Sequence, residues 1–77
     1  MKQINIQLND PEAVIDFVKE AEKCDFNVNL QQGTSIVDGK SLLGVFSLEL
    51  SESLTVLCYG ENSSFMNALK KFAVAWN

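Results

Sequence analysis

The sequence predicts an α+β open-faced sandwich: an antiparallel sheet with one face covered by helices, in the order β-α-β-β-α-β-α. Three observations carry this. Apolar and polar residues alternate in short runs at Ile4 to Asn9, Phe26 to Gln31 and Leu54 to Tyr59, the signature of strands with one buried and one wet face. Between and after them, Val14, Phe17, Val18 and Ala21, then Phe65, Ala68, Leu69, Phe72, Ala73 and Trp76, recur at helical spacing. Alternation, rather than continuous apolar runs, belongs to antiparallel sheets with one solvated face.

Each element has its own signals. Ile4, Ile6 and Leu8 form the buried side of the first strand. Asp10-Pro11-Glu12 starts the first helix: Asp10 suits the N-cap, Pro11 the first helical position, and Glu12 complements the positive end of the helix dipole. This helix is expected to end near Cys24. Phe26, Val28 and Leu30 mark the second strand, and Gln32-Gly33 turns the chain into a short third strand around Thr34 to Val37. Asp38-Gly39 is a second turn that delivers the chain to Ser41 and a short helix. Gly44 within that helix costs roughly 1 kcal/mol relative to alanine, which implies close approach of another group or a weak helix. In the last strand Leu54, Val56 and Cys58 share one face, and Thr55, Leu57 and Tyr59 the other; Gly60 ends it. Asn62 caps the final helix, which is expected to run to Trp76.

Seventy-seven residues with 47% hydrophobic content make a single domain over residues 1–77. A chain of this size buries only about 60–65% of its unfolded surface, so one thin core is expected. A net charge of −4, with six basic residues scattered apart from Lys70-Lys71, leaves no electrostatic footprint for nucleic acid. No apolar run is long enough to span a bilayer, and Met1-Lys2-Gln3-Ile4 does not open a signal peptide, so a cytoplasmic location is expected. Cys24 and Cys58 form no C-x-x-C pair and the chain has no histidine, so neither a metal site nor a cofactor is expected. Both thiols are expected to be reduced, Cys58 as a small core residue and Cys24 as partly accessible.

The stretch from Gly39 to Leu48 says most about function. Ser41 lies at a helix start, where its hydroxyl can cap backbone N–H groups and where a phosphate is favoured. Leu42, Leu43 and Phe46 follow close together on one side of the helix. The block Lys40-Ser41-Leu42-Leu43-Gly44-Val45, followed by Ser47-Leu48, resembles the regulatory-serine segment of the histidine-containing phosphocarrier family, HPr, of the bacterial sugar phosphotransferase system. Phe46 stands where a methionine is common, and the element order on both sides fits over nearly all of the chain.

The resemblance implies the HPr fold, a four-stranded antiparallel sheet with three helices on one side. It also exposes one departure. The family's phosphoacceptor motif, Gly-Ile-His-Ala-Arg-Pro-Ala, is missing: its histidine falls at Asp10, the following alanine at Pro11, its arginine at Glu12 and its proline at Ala13. Imidazole nitrogen is both a nucleophile and a good leaving group for phosphoryl transfer near neutral pH; Asp10 could form an acyl phosphate in its place, but nothing nearby would bind one. Glu12 in place of an arginine repels a phosphate. Ser35, Ser41, Ser47 and Ser51 have no histidine base, and Gly39-Lys40-Ser41 lacks the earlier glycine of a P-loop, so no enzyme is expected.

Two functional readings follow. In the first, the protein is an HPr-like regulatory module that has lost histidine phosphotransfer, binds a protein partner through Lys40, Leu42, Leu43 and Phe46, and is phosphorylated at Ser41. In the second it is a phosphocarrier in sugar transport with Asp10 as acceptor. The same residues also have a purely structural use: Asp10 and Ser41 as plain helix caps, and some of Leu42, Leu43 and Phe46 as core. Leu57 and Tyr59 are expected on the open face of the sheet, either as scattered apolar residues or as a surface for self-association.

Overall fold

The computed structural model describes residues 1–74. Its elements are β1 (Lys2–Ile6), α1 (Pro11–Glu22), β2 (Val28–Gln32), β3 (Ser35–Asp38), α2 (Leu42–Phe46), β4 (Leu54–Cys58) and α3 (Ser63–Leu69). The four strands form one antiparallel sheet in the order β1-β4-β2-β3. The last strand in sequence therefore lies in the middle, between Ile4 of β1 and Leu30 of β2 at Val56. The helices pack on one face, where Ile6, Leu8, Val14, Phe17, Val28, Leu30, Val45, Leu54, Val56 and Leu69 are fully or almost fully buried. Phe17 sits at the centre of this layer, with the rings of Phe65 and Phe72 each 6.2 Å away and tilted against it.

The local signals act as their chemistry requires. The N–H of Ala13 donates to Asp10 Oδ1 at 2.8 Å, and Pro11 occupies the first turn of α1. Val14, Phe17, Val18 and Ala21 are all buried, so the apolar stripe of α1 is the one its spacing indicates. β2 and β3 are joined by Gly33 and Thr34, and Gly33 adopts φ 60°, which glycine tolerates without a side-chain penalty. Gly39 is packed rather than merely flexible. Its N–H donates to Val28 O at 2.7 Å, and a Cβ there would lie 2.8 Å from that same oxygen and 3.3 Å from Phe17.

Three expectations are corrected. The final helix stops at Leu69 rather than running through Phe72 and Ala73, and Trp76 lies outside the described residues. After a turn, Phe72 O accepts from Gln7 N–H at 2.9 Å, Ala73 bridges Ile6, and Val74 N–H donates to Asn5 O at 3.2 Å. The outer edge of β1 would otherwise leave these groups unpaired, and pairing with it competes with continuation of the helix. Phe72 is buried either way, which is why helical spacing alone extends too far.

The second correction concerns Leu57. It belongs to the open face, but it is only 4% exposed, while Tyr59 is 49% exposed. Because β4 is central, Leu57 stands between Gln3 of β1 and Asn29 of β2, with Thr55 before it on the same face. A central position flanked on both sides hides a side chain that an edge position would expose. The third correction concerns α2: Val45 and Leu48 supply its buried contacts, and none of Leu42, Leu43 and Phe46 is buried.

Candidate functional site: the capped serine and the outer face of α2

α2 has five residues, too few to hold itself together by hydrogen bonds alone. Its position is fixed from outside. Ser41 has extended backbone, and its Oγ accepts from Gly44 N–H at 3.1 Å, as an N-cap should. Ser41 N–H donates to Asp38 O at 3.0 Å, and Asp38 Oδ1 accepts from Lys40 N–H at 2.9 Å, so the turn before the helix is tied at two points. At the other end Ser47 Oγ donates to Gly44 O at 2.6 Å. Gly44 itself lies against the sheet edge: a Cβ there would meet Ser41 Oγ at 3.2 Å and Val37 of β3 at 3.5 Å. The close approach implied by a glycine in mid-helix is therefore present.

Lys40 contributes a link not legible in sequence. Its ammonium donates to Cys24 O at 2.8 Å, tying the approach to α2 to the C-terminal end of α1. A cation suits that end of a helix, where carbonyl groups lack intrahelical partners. Burial pushes the Cys24 thiol above its ordinary range, the Lys40 charge opposes this, and Asp25 and Glu20 add to the rise. Cys24 is buried rather than partly accessible.

The consequence is an apolar surface the core does not use. Leu42 is 41% exposed, Leu43 84% and Phe46 39%, and Ser41 is half-buried at the start of the same helix. Helical geometry separates Leu43 from Val45 by roughly 200° of rotation, so burial of one turns the other outward. Of the predicted partner-binding residues, Leu42, Leu43 and Phe46 are exposed on the helix that Ser41 caps, while Lys40 is directed away from them toward α1.

Asp10 lies apart from this patch, at the start of α1. Its carboxylate is engaged as the cap, and Glu12 follows in the first turn. Among the described residues the one ion pair joins Lys23 to Glu20 at 3.4 Å, so no cation is paired with Asp10. Two surface hollows of about 290 and 320 Å³ border α3, and neither is lined by Asp10 or Ser41. No group of three or more potential metal ligands occurs among the described residues, and none of their helices is long and apolar enough to cross a membrane.

This architecture, with a serine-capped short helix beside a turn and a central last strand, is that of the HPr-like open-faced sandwich. Solved structures that it matches include two HPr proteins. Among them is HPr-C-His from Thermoanaerobacter tengcongensis, at a TM-score of 0.76 and 22% identity, covering 92% of this chain and 89% of that one. Another is the phosphocarrier protein HPr from Bacillus anthracis str. Ames, at a TM-score of 0.52 and 24% identity, with 94% and 89% covered. No family model and no curated protein matches the sequence. At these identities the likeness establishes the fold; residue roles rest on the site itself.

Proposed function

We propose that this HPr-like protein has lost histidine phosphotransfer and acts as a regulatory module that binds a protein partner through α2, under the control of phosphorylation at Ser41. The observation that carries this reading is the division of labour within α2. Val45 in the helix and Leu48 just after it are buried, while Leu43 is almost wholly exposed and Leu42 and Phe46 leave part of their apolar surface uncovered beside it. Lys40 serves as the anchor of the segment, and Asp10 as the cap of α1.

Phosphate on Ser41 would sit among backbone N–H groups at the helix start, worth about 0.3–1 kcal/mol at an exposed site. It would place negative charge beside the apolar patch and so change which surfaces can dock there. The test uses two incubations of the full chain. With an HPr-type kinase and ATP, peptide mapping should find one phosphoryl group, on Ser41; no modification, or modification elsewhere, counts against the proposal. With phosphoenolpyruvate and Enzyme I, no adduct should form. A hydroxylamine-sensitive phosphoryl group on Asp10 would instead establish a phosphocarrier.

A further inference from the structure

The sheet has two edges, and they are treated differently. That of β1 is met by Ala73 and Val74. β3, at the other end of the strand order, has β2 on one side and, among the described residues, no strand on the other. In an antiparallel pair, residues alternate between turning their N–H and C=O toward the partner strand and turning them away. Ser35 closes the two-residue turn against Gln32, so Val37 faces Leu30 through hydrogen bonds, and Ile36 and Asp38 turn their backbone groups outward. Asp38 O is taken by Ser41 N–H. The Ile36 N–H and C=O and the Asp38 N–H remain at the free edge, and the Ile36 side chain is exposed beside them.

α2 lies directly over this edge, since Gly44 packs on Val37, and α1 lies on its far side, where Val45 is buried. Leu43, opposite Val45 on the helix, therefore projects past β3, over the space a further strand would occupy. That strand would bring every second side chain up beneath Leu43. The surroundings are acidic. Asp38 stands at one end of β3. Glu49 is held at the turn end of the hairpin, on Gln32 of β2 opposite Ser35, its N–H donating to Gln32 Oε1 at 2.8 Å and its C=O accepting from Gln32 Nε2 at 2.7 Å. Lys40 is the sole cation between Cys24 and Leu69 in the sequence, and its ammonium is bonded to Cys24 O.

We infer that the free edge of β3, roofed by Leu43, is a docking site for an extended segment of a partner protein that carries apolar residues at alternate positions and basic residues at its ends. The segment adds to the sheet as a further strand: backbone groups bond Ile36 and Asp38, an apolar side chain packs under Leu43, and the basic ends meet Asp38 and Glu49. A second copy of this chain fits less well, because pairing β3 with itself brings each acidic edge against its own like charges. The inference rests on the reading of α2 as a protein-binding surface and adds to it the edge strand and the chemistry of the partner.

The experiment titrates the full, isotopically labelled chain with a seven-residue peptide of alternating valine and threonine with a lysine at each end. Resonances of Ile36 and Asp38 should shift, and their amide hydrogens should exchange more slowly. Ile36→Pro removes the outward N–H while leaving the ladder to β2 intact, and should weaken binding roughly fivefold or more. Where that variant does not fold, the same peptide with N-methylated valines serves in its place and should fail to protect β3. A peptide with glutamate ends should bind more weakly. Shifts confined to Leu42, Leu43 and Phe46 would overturn the edge proposal and leave the protein-binding role of α2 standing. Absence of any shift, equal binding by Ile36→Pro, or a dimer of the free chain dissociated by Ile36→Pro would also overturn it.

Discussion

Gly39→Ala is the substitution whose cost the structure fixes most directly. Gly39 is buried between β3 and Ser41, and its N–H holds Val28 O at 2.7 Å. An added Cβ would lie 2.8 Å from that oxygen, about 0.5 Å inside the closest ordinary carbon–oxygen contact of about 3.3 Å. The carbonyl cannot retreat without stretching the bond it accepts, and Phe17 and Val28 Cγ1, each 3.3 Å from the new atom, close the other directions. Overpacking of this kind costs about 1–3 kcal/mol, and a weakened hydrogen bond about 0.5–1.5 kcal/mol. Stiffening the unfolded chain returns about 0.4–1 kcal/mol. The net loss is about 2–3 kcal/mol, a large share of the roughly 4–12 kcal/mol typical of a domain this size. Urea unfolding followed by far-UV circular dichroism should show a midpoint lowered by about 2 M at an unchanged slope of about 1 kcal/mol/M. Gly33→Ala is the control. Nothing lies within 4 Å of a Cβ there, so only the left-handed backbone opposes it, at about 1–2 kcal/mol. If Gly39→Ala lies within about 0.5 kcal/mol of wild type, close packing of this turn is not what positions α2.

Leu57→Ala should destabilise the fold by about 2 kcal/mol, the lower end for a buried leucine because only side chains of one sheet layer surround it; Tyr59→Glu should change stability by less than about 0.5 kcal/mol, and urea midpoints of the two variants check both. Cys58 gives the expected pH dependence: burial raises its thiol above the ordinary value of 9.0, the buried Cys24 adds to the rise and Lys2 opposes it. A raised folded-state value makes the stabilisation complete below about pH 9 and progressively lost as pH rises above it, so the decline in stability above about pH 9 should be shallower in Cys58→Ala.

The sequence makes some of this molecule legible because certain residues have one use in any fold. Asp10-Pro11 can begin a helix and do little else, and alternation through Val28 and Leu30 permits only one buried face. Ser41 as a cap and the closeness of Leu42, Leu43 and Phe46 are visible for the same reason, since both follow from spacing within a few residues. What stays hidden depends on which elements become neighbours. Nothing near Lys40 announces that its ammonium meets Cys24 O, sixteen residues away, and nothing near Leu42 says that Val45 alone in the helix faces the core. Strand order has the same standing. Leu57 and Tyr59 alternate identically in the sequence, yet Leu57 lies within β4 and is covered while Tyr59 lies just past its end and is open.

That contrast bears on where a partner can bind. A surface for docking needs apolar groups that folding has not already used, and strand order decides which those are. The middle of the open face fails this requirement, because Gln3, Asn29 and Thr55 surround Leu57. The β3 side of the molecule meets it: Leu42, Leu43 and Phe46 are exposed on the helix side of a strand with one unpaired edge among the described residues, and Ile36, paired with Gln31 rather than with a core residue, is exposed on its other face. Ser41 stands between the two parts of that surface, bonded to Asp38 of the strand through its N–H and to Gly44 of the helix through its hydroxyl. A charge added at this hydroxyl falls on the joint between strand edge and helix, where it acts on both at once. Self-association through Leu57 and Tyr59 is therefore the weaker use of this fold, and the edge beside Ser41 the stronger.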